Sequence, residues 1–205
     1  MGCLFYYVLT NGGHPFGDVP EREMNILNNS KCLDDLESKE ALHLISKLLS
    51  FDASERPESS AIHLHPYFWD TAKTLTFFQD VSDHLEALRP RRTHPILKKL
   101  EQDARDIADM DWSLQLDKSF VDTQGRRSAY TVNSIQDLLR VIRNSKHHYQ
   151  ELSSTAKEEI RPLPDGYLAY FIKRFPALIM HTYNLVASET LKGEVDLCVY
   201  FSSTD

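Results

Sequence analysis

The sequence has 205 residues, a formal net charge of −7, 41% hydrophobic residues and 10% aromatics. That is apolar material for a packed core in one large domain or two small ones, and it excludes wholesale disorder and low-complexity or collagen-like chains. The longest apolar run, Cys3 to Leu9, is far short of the ~20 residues a membrane-spanning helix needs. It lacks the basic flank of a signal peptide. Cys3, Cys32 and Cys198 are too scattered for a zinc knuckle or a disulfide framework, so the chain reads as soluble with reduced thiols.

In chain order, Met1 to Leu9 has the composition of the middle of a buried helix and stops at the breaker Thr10-Asn11-Gly12-Gly13. His14 to Asp18 makes a turn. Ser38 to Phe51 predicts an amphipathic helix, with Ala41, Leu44, Ile45, Leu48 and Leu49 in phase. Ser59 to Leu64 is a short helix ended by Pro66, and Tyr67, Phe68 and Trp69 read as a packing plug. Thr71 to Leu88 is a longer helix whose buried face is Leu75, Phe78, Val81, Ser82 and Leu85. The segment from Arg89 to Pro95 has the composition of a linker.

Ile96 to Ala108 is then helical, Met110 to Tyr130 polar and irregular, and Asn133 to about Arg143 helical, with Ile135, Leu138, Leu139 and Ile142 on one face. Thr155 to Ile160 starts another helix, and Gly166 to Ser188 gives two, split near Pro176. The stretch from Val195 to Phe201 looks β-like. With no alternation marking a large sheet and no repeat, the fold class expected is all-α.

Charge is unevenly spread. Between residues 126 and 149, Arg126, Arg127, Arg140, Arg143 and Lys146 face Asp137 alone, a local net of +4 in an acidic chain. Such a patch fits one focused phosphate site better than a long nucleic-acid groove. On the helix from Asn133, Arg140, Arg143, Asn144 and His147 lie opposite the apolar face, and Asn144 and His148 form an i, i+4 pair. A straight helix holds Arg143 and His148 about 140° apart. For both to serve one site, the helix must end or bend near Ser145, or a second segment must contribute.

The chemistry open to this set is specific. Arginine offers a planar, permanently charged fork to a phosphodiester. Asparagine adds neutral donors, and histidine can protonate a leaving 5′-oxygen near neutral pH. Tyr130, on the loop feeding the helix, can take a proton from a ribose 2′-OH, although a reference pKa near 10 makes an unshifted tyrosine a weak base. These parts suit RNA transesterification without a metal. The plainer alternative is a solvated basic helix face. Neither His147-His148 nor His63 and His65 has good metal-ligand spacing.

Two stretches carry a resemblance. "GCLFYYVLTNGGHPFGD" (Gly2 to Asp18) with "LISKLLSFDASERPESSAIHLHPYFW" (Leu44 to Trp69) resembles the last third of a protein-kinase domain. "LTFFQDVSDHLE", "YTVNSIQDLLRVIRNSKHHYQEL" and "YLAYFIKRFPALIMHTY" follow in the order found in the inositol-requiring enzyme family of unfolded-protein-response kinase–endoribonucleases. That family's kinase-extension nuclease (KEN) domain is shared with ribonuclease L. The resemblance implies truncated kinase C-lobe helices over residues 1–70, a helical KEN domain over 71–190 and a tail of uncertain order over 191–205.

It further implies a metal-independent endoribonuclease that cuts RNA stem-loops by 2′-OH transesterification to a 2′,3′-cyclic phosphate. Tyr130 would be general base or its helper, Arg143 and Asn144 would hold the phosphate, and His148 would be the general acid. RNA and a second copy, as a dimer or higher oligomer, are the implied partners. A longer parent would sit at the cytoplasmic face of the endoplasmic-reticulum membrane, with no direct membrane contact by this chain. No cofactor is expected, because the Gly-rich loop, VAIK lysine, HRD and DFG are absent; ATP or ADP with Mg would belong to a parent carrying kinase activity. Two departures stand out. Thr131-Val132-Asn133 replaces a Lys-Gly-Gly of many animal members, and Arg56 lacks the APE glutamate it would pair with, leaving a partly buried guanidinium uncompensated. The alternative function is a non-catalytic helical interaction module.

Overall fold

The computed structural model describes residues 1–89, 94–125 and 130–202. Helices carry the fold, and among the described residues there is no strand. The chain divides into two compact units, Met1–Phe68 and Trp69 onward.

The first unit holds α1 (Gly2–Leu9), α2 (Val19–Leu27), α3 (Lys39–Leu48) and α4 (Ser59–Ile62). Its small core is Tyr6, Leu33, Leu36 and Ile45. Helix α1 stops where Asn11 (φ 53) and Gly12 (φ 115) enter the left-handed region, with the Gly12 N–H returning to the Tyr7 carbonyl at 2.8 Å. Four sequence expectations change here. Only Gly2 and Tyr6 of α1 are buried, while Leu4, Tyr7 and Val8 are exposed. Helix α2 was not foreseen; it starts behind Asp18 with Pro20 in its first turn, but none of its residues is buried, so it shows no core-facing stripe. Arg56 is exposed and is not left without partners: its Nε donates to the Ser50 carbonyl at 2.9 Å and Nη2 to that of Phe51 at 3.4 Å. Helix α3 keeps its predicted face but closes at Leu49, before Phe51, which is exposed. The Ser38 hydroxyl caps it by accepting the Ala41 N–H at 3.1 Å.

His65 shows a pH dependence built into this unit. It is 6% exposed, its Nδ1 accepts the Tyr67 N–H at 3.1 Å, and its Nε2 lies 2.9 Å from His43 Nδ1. Burial, reinforced by His43, pulls its pKa down to about 4. The unfolded chain therefore binds a proton near pH 6.5 that the folded unit refuses until about pH 4. Stability is whole above that window and falls by about 3 kcal/mol as pH drops through it. Thermal melts of His65→Asn, whose amide oxygen can still accept from Tyr67, should lose stability less steeply between pH 6.5 and 4.

The second unit contains α5 (Thr71–Ala87), α6 (Pro95–Leu100), α7 (Ala104–Ala108), α8 (Lys118–Gly125), α9 (Ile135–His147), α10 (Ser154–Ile160), α11 (Asp165–Arg174), α12 (Leu178–Ala187) and α13 (Glu189–Lys192). Its core joins Phe77, Phe78, Val81 and Leu85 of α5 to Leu138, Leu139 and Ile142 of α9 and to Tyr167 and Phe171 of α11. The division between units falls at Phe68 and Trp69 rather than at the expected linker, whose residues 90–93 lie outside the described residues; α5 and α6 belong to one unit.

Three segments of this unit differ from their expected form. The segment read as irregular contains a 3-10 turn (Trp112–Gln115) and α8, with Trp112, Leu116 and Phe120 buried at i, i+4, i+8 between charged neighbours. The helix expected from Ile96 to Ala108 breaks between α6 and α7, which frees Glu101 to reach the start of α9. The tail read as β-like is a 3-10 turn (Cys198–Tyr200) that buries Leu197 and Tyr200 and exposes Val195 and Val199. The Tyr200 hydroxyl donates to Asp80 at 2.6 Å, and its ring packs on Phe77 and Trp69.

Candidate active site

Helix α9 begins with an unusually complete set of bonds. The Ser134 hydroxyl accepts the Asp137 N–H at 3.2 Å and donates to Glu101 at 2.7 Å. Glu101 also accepts the N–H groups of Ile135 (2.8 Å) and Gln136 (3.0 Å). A carboxylate thus sits at the positive end of the helix. The preceding loop is held from both sides. Trp112 donates its backbone N–H to the Val132 carbonyl at 3.0 Å and its indole N–H to that of Ser134 at 3.1 Å, while Asp137 accepts the Thr131 N–H at 2.7 Å. Tyr130 stands at the head of this loop, its ring edge-on to Trp112.

Three of the four candidate residues form one hydrogen-bonded chain. Arg143 Nε donates to Asn144 Oδ1 at 3.0 Å, and Asn144 Nδ2 donates to the Tyr130 hydroxyl oxygen at 3.0 Å. Arginine can only donate, so it fixes which end of the amide faces Tyr130. The guanidinium is also gripped from α5, by Asp83 at 2.5 Å and Glu86 at 2.6 Å. Among the described residues two of its five N–H bonds are thereby donated, to Asn144 and Asp83, and the Glu86 contact is an ion pair. His148 stands one turn further on. Its backbone N–H closes α9 on the Asn144 carbonyl at 3.0 Å, and its Nδ1 lies 2.8 Å from Glu151. The i, i+4 link between Asn144 and His148 is therefore made by backbone, and the imidazole turns to Glu151. Helix α9 runs uninterrupted through Ser145, which is buried and bonds back to the Val141 carbonyl at 2.6 Å, and ends at His147, with His148 at φ −99, ψ 22.

His147 occupies a different setting. Gln79 of α5 takes the Lys146 ammonium on its Oε1, so its Nε2 faces His147 Nε2 at 2.8 Å. Lysine cannot accept, so that imidazole nitrogen is the acceptor and the proton lies on Nδ1. Burial lowers the Lys146 pKa, partly offset by Asp80. Arg140 bonds Asp137 at 2.6 Å, lies over the Tyr130 ring at 5.4 Å, and has its Nε 3.3 Å from Glu86 without hydrogen-bond alignment. Burial works against its charge, but Asp137 and Glu86 outweigh it and hold its pKa above the ordinary arginine value. A cleft of about 1070 Å³ opens beside the start of α9, walled by Lys98, Arg105 and Arg140 but also by Glu101, Asp103, Asp106, Asp109 and Asp137. That excess of acids makes the cleft a poor seat for a phosphodiester.

The contributions of α5 were not anticipated. Gln79, Asp83 and Glu86 recur at i, i+4, i+7, a polar stripe at helical spacing that was available as a signal. Glu101, Trp112 and Glu151 were missed as well.

Residues 74–201 match the family model described as Ribonuclease 2-5A, a span that contains every residue of this site. The chain belongs to the ribonuclease 2-5A family. Within it, the chain is 40% identical over 191 residues to the Schizosaccharomyces pombe "Sensor for unfolded proteins in the ER ire1", covering 91% of this chain and 18% of that protein. It is 38% identical over 198 residues to the human "Serine/threonine-protein kinase/endoribonuclease IRE2" (93% and 21%). It is 36% identical over 206 residues to the Caenorhabditis elegans "Serine/threonine-protein kinase/endoribonuclease ire-1" (98% and 21%). The chain spans about a fifth of the length of these relatives. The kinase–endoribonuclease resemblance and the all-α KEN-type unit read from the sequence are thus both found, and no helix among the described residues is long and apolar enough to cross a membrane.

Proposed function

We propose that this ribonuclease 2-5A family member is an RNA-cleaving domain that works by metal-independent transesterification. In this reading Tyr130, in its anionic form, takes the proton of a ribose 2′-OH. The 2′-oxygen bonds to phosphorus, the bond from phosphorus to the 5′-oxygen breaks, and His148 gives its proton to that leaving oxygen, ending in a 2′,3′-cyclic phosphate. N–H groups of Arg143 not donated to Asn144 or Asp83 and the second amide N–H of Asn144 hold the phosphate oxygens. The Asn144 N–H aimed at Tyr130 supports negative charge on the phenolic oxygen. The observation that carries the reading is the continuous Arg143–Asn144–Tyr130 chain. It links the proposed phosphate holder to the proposed base within a unit whose family matches over 74–201.

In a longer parent the same unit would act beside a kinase at the endoplasmic-reticulum membrane, on stem-loop RNA and as a dimer or higher oligomer, with ATP and Mg confined to the kinase portion. The test is cleavage of a stem-loop oligoribonucleotide in EDTA across a range of protein concentrations. The expected result is product with a cyclic phosphate end, a rate rising faster than linearly with protein, no cutting of the DNA analogue, and loss of cleavage in His148→Ala. Tight RNA binding without cutting at high concentration would instead mark a non-catalytic interaction module.

A further inference from the structure

The proposed acid has a partner of its own, and we propose that Glu151 is the positioning residue of His148, resting on the reading of His148 as the proton donor. The two are tied twice: the Glu151 N–H donates to the His148 carbonyl at 2.9 Å, and its carboxylate lies 2.8 Å from His148 Nδ1. Their turn, Tyr149–Glu151, is itself fastened down. The Tyr149 hydroxyl donates to the Arg161 carbonyl at 2.9 Å, the Lys157 ammonium to that of Gln150 at 2.8 Å, and Leu152 is buried beneath it. The imidazole is therefore held from a fixed base.

An ionised carboxylate can only accept, so Nδ1 carries a hydrogen whether the ring is neutral or cationic, and Nε2 is the nitrogen that exchanges a proton with substrate. This is the arrangement by which a carboxylate selects the working tautomer of a catalytic histidine. The neighbouring His147 has the opposite fate, its Nε2 occupied by Gln79. Glu151 thus distinguishes the two adjacent histidines in a way that their sequence does not. Both members of the pair are more than half exposed, with side chains 52% and 60% accessible, so the contact adds little to stability and its loss should register in the chemistry.

The test compares the full chain with Glu151→Ala, Glu151→Gln and His148→Ala under single-turnover conditions. Glu151→Ala is expected to slow cleavage about 10–100-fold at saturating RNA with the half-saturating concentration unchanged. Glu151→Gln, whose amide oxygen still accepts from Nδ1, should recover much of the loss. On RNA with sulfur replacing the bridging 5′-oxygen, the thiolate leaves without a proton, and both Glu151→Ala and His148→Ala should approach the wild-type rate. If His148→Ala recovers there and Glu151→Ala does not, Glu151 does not act through His148. If His148→Ala never slows the oxygen substrate, the acid assignment itself is wrong. Independently of activity, ¹⁵N spectra of the neutral imidazole should show the Nδ1–H form of His148 in the wild type and the Nε2–H form in Glu151→Ala; identical spectra overturn the positioning role.

Discussion

Arg143→Ala is expected to lower RNA cleavage by about 10²–10³-fold, the usual loss when one preorganised donor to a developing charge is removed. The structure argues for the upper part of that range. The guanidinium donates to Asn144 and Asp83 and forms an ion pair with Glu86. In the proposed mechanism its removal would cost the phosphate contacts, free the Asn144 amide whose orientation it fixes, and leave the bound phosphate facing Asp83 and Glu86 with no charge between them. Arg143→Lys keeps the charge but cannot reproduce the fork, and should regain only part of the activity. Because the Asp83 side chain is 61% exposed, the fold should lose only about 1–2 kcal/mol, read as a fall of a few degrees in thermal midpoint. Cleavage near the wild-type rate in Arg143→Ala, with the protein folded, would remove arginine from the mechanism.

The same network shows what a linear reading of the chain can and cannot recover. The apolar faces of α5 and α9 were legible because each repeats at 3.6-residue spacing: Leu75, Phe78, Val81 and Leu85 on one, Ile135, Leu138, Leu139 and Ile142 on the other, all buried. Of the four candidate residues, three that the sequence proposed as one set, Tyr130, Arg143 and Asn144, lie in one hydrogen-bonded chain. The partners of those residues were less legible. The polar stripe of Gln79, Asp83 and Glu86 could be read on α5, but what it faces is fixed only once α5 lies along α9. Glu101 is still less visible, since it is recruited to the α9 terminus 34 residues away by ending α6 early. The alternatives left open by helix geometry were settled locally: the helix continues through Ser145, because that hydroxyl is satisfied by Val141 and Tyr167, and it stops where His148 turns toward Glu151.

Trp112→Ala is expected to destabilise the second unit by about 3–5 kcal/mol, the range for emptying a buried tryptophan site, and that is a large share of a typical domain's 5–15 kcal/mol. The indole is 4% exposed and stands edge-on to Tyr130 at 6.4 Å. Trp112→Phe separates packing from hydrogen bonding. It keeps an aromatic ring but loses the donor to the Ser134 carbonyl, which still accepts the Leu138 N–H at 3.0 Å and so is not orphaned. The stability cost should therefore be about 1 kcal/mol, seen in urea melts followed by the remaining tryptophan, Trp69. Cleavage should fall further than that loss explains, because the indole bond is one of the few that set the distance between the Tyr130 loop and the first turn of α9. Measured where both proteins are fully folded, a Trp112→Phe rate equal to wild type would mean that the loop is held well enough by Asp137, Glu101 and the backbone N–H of residue 112 without the indole bond.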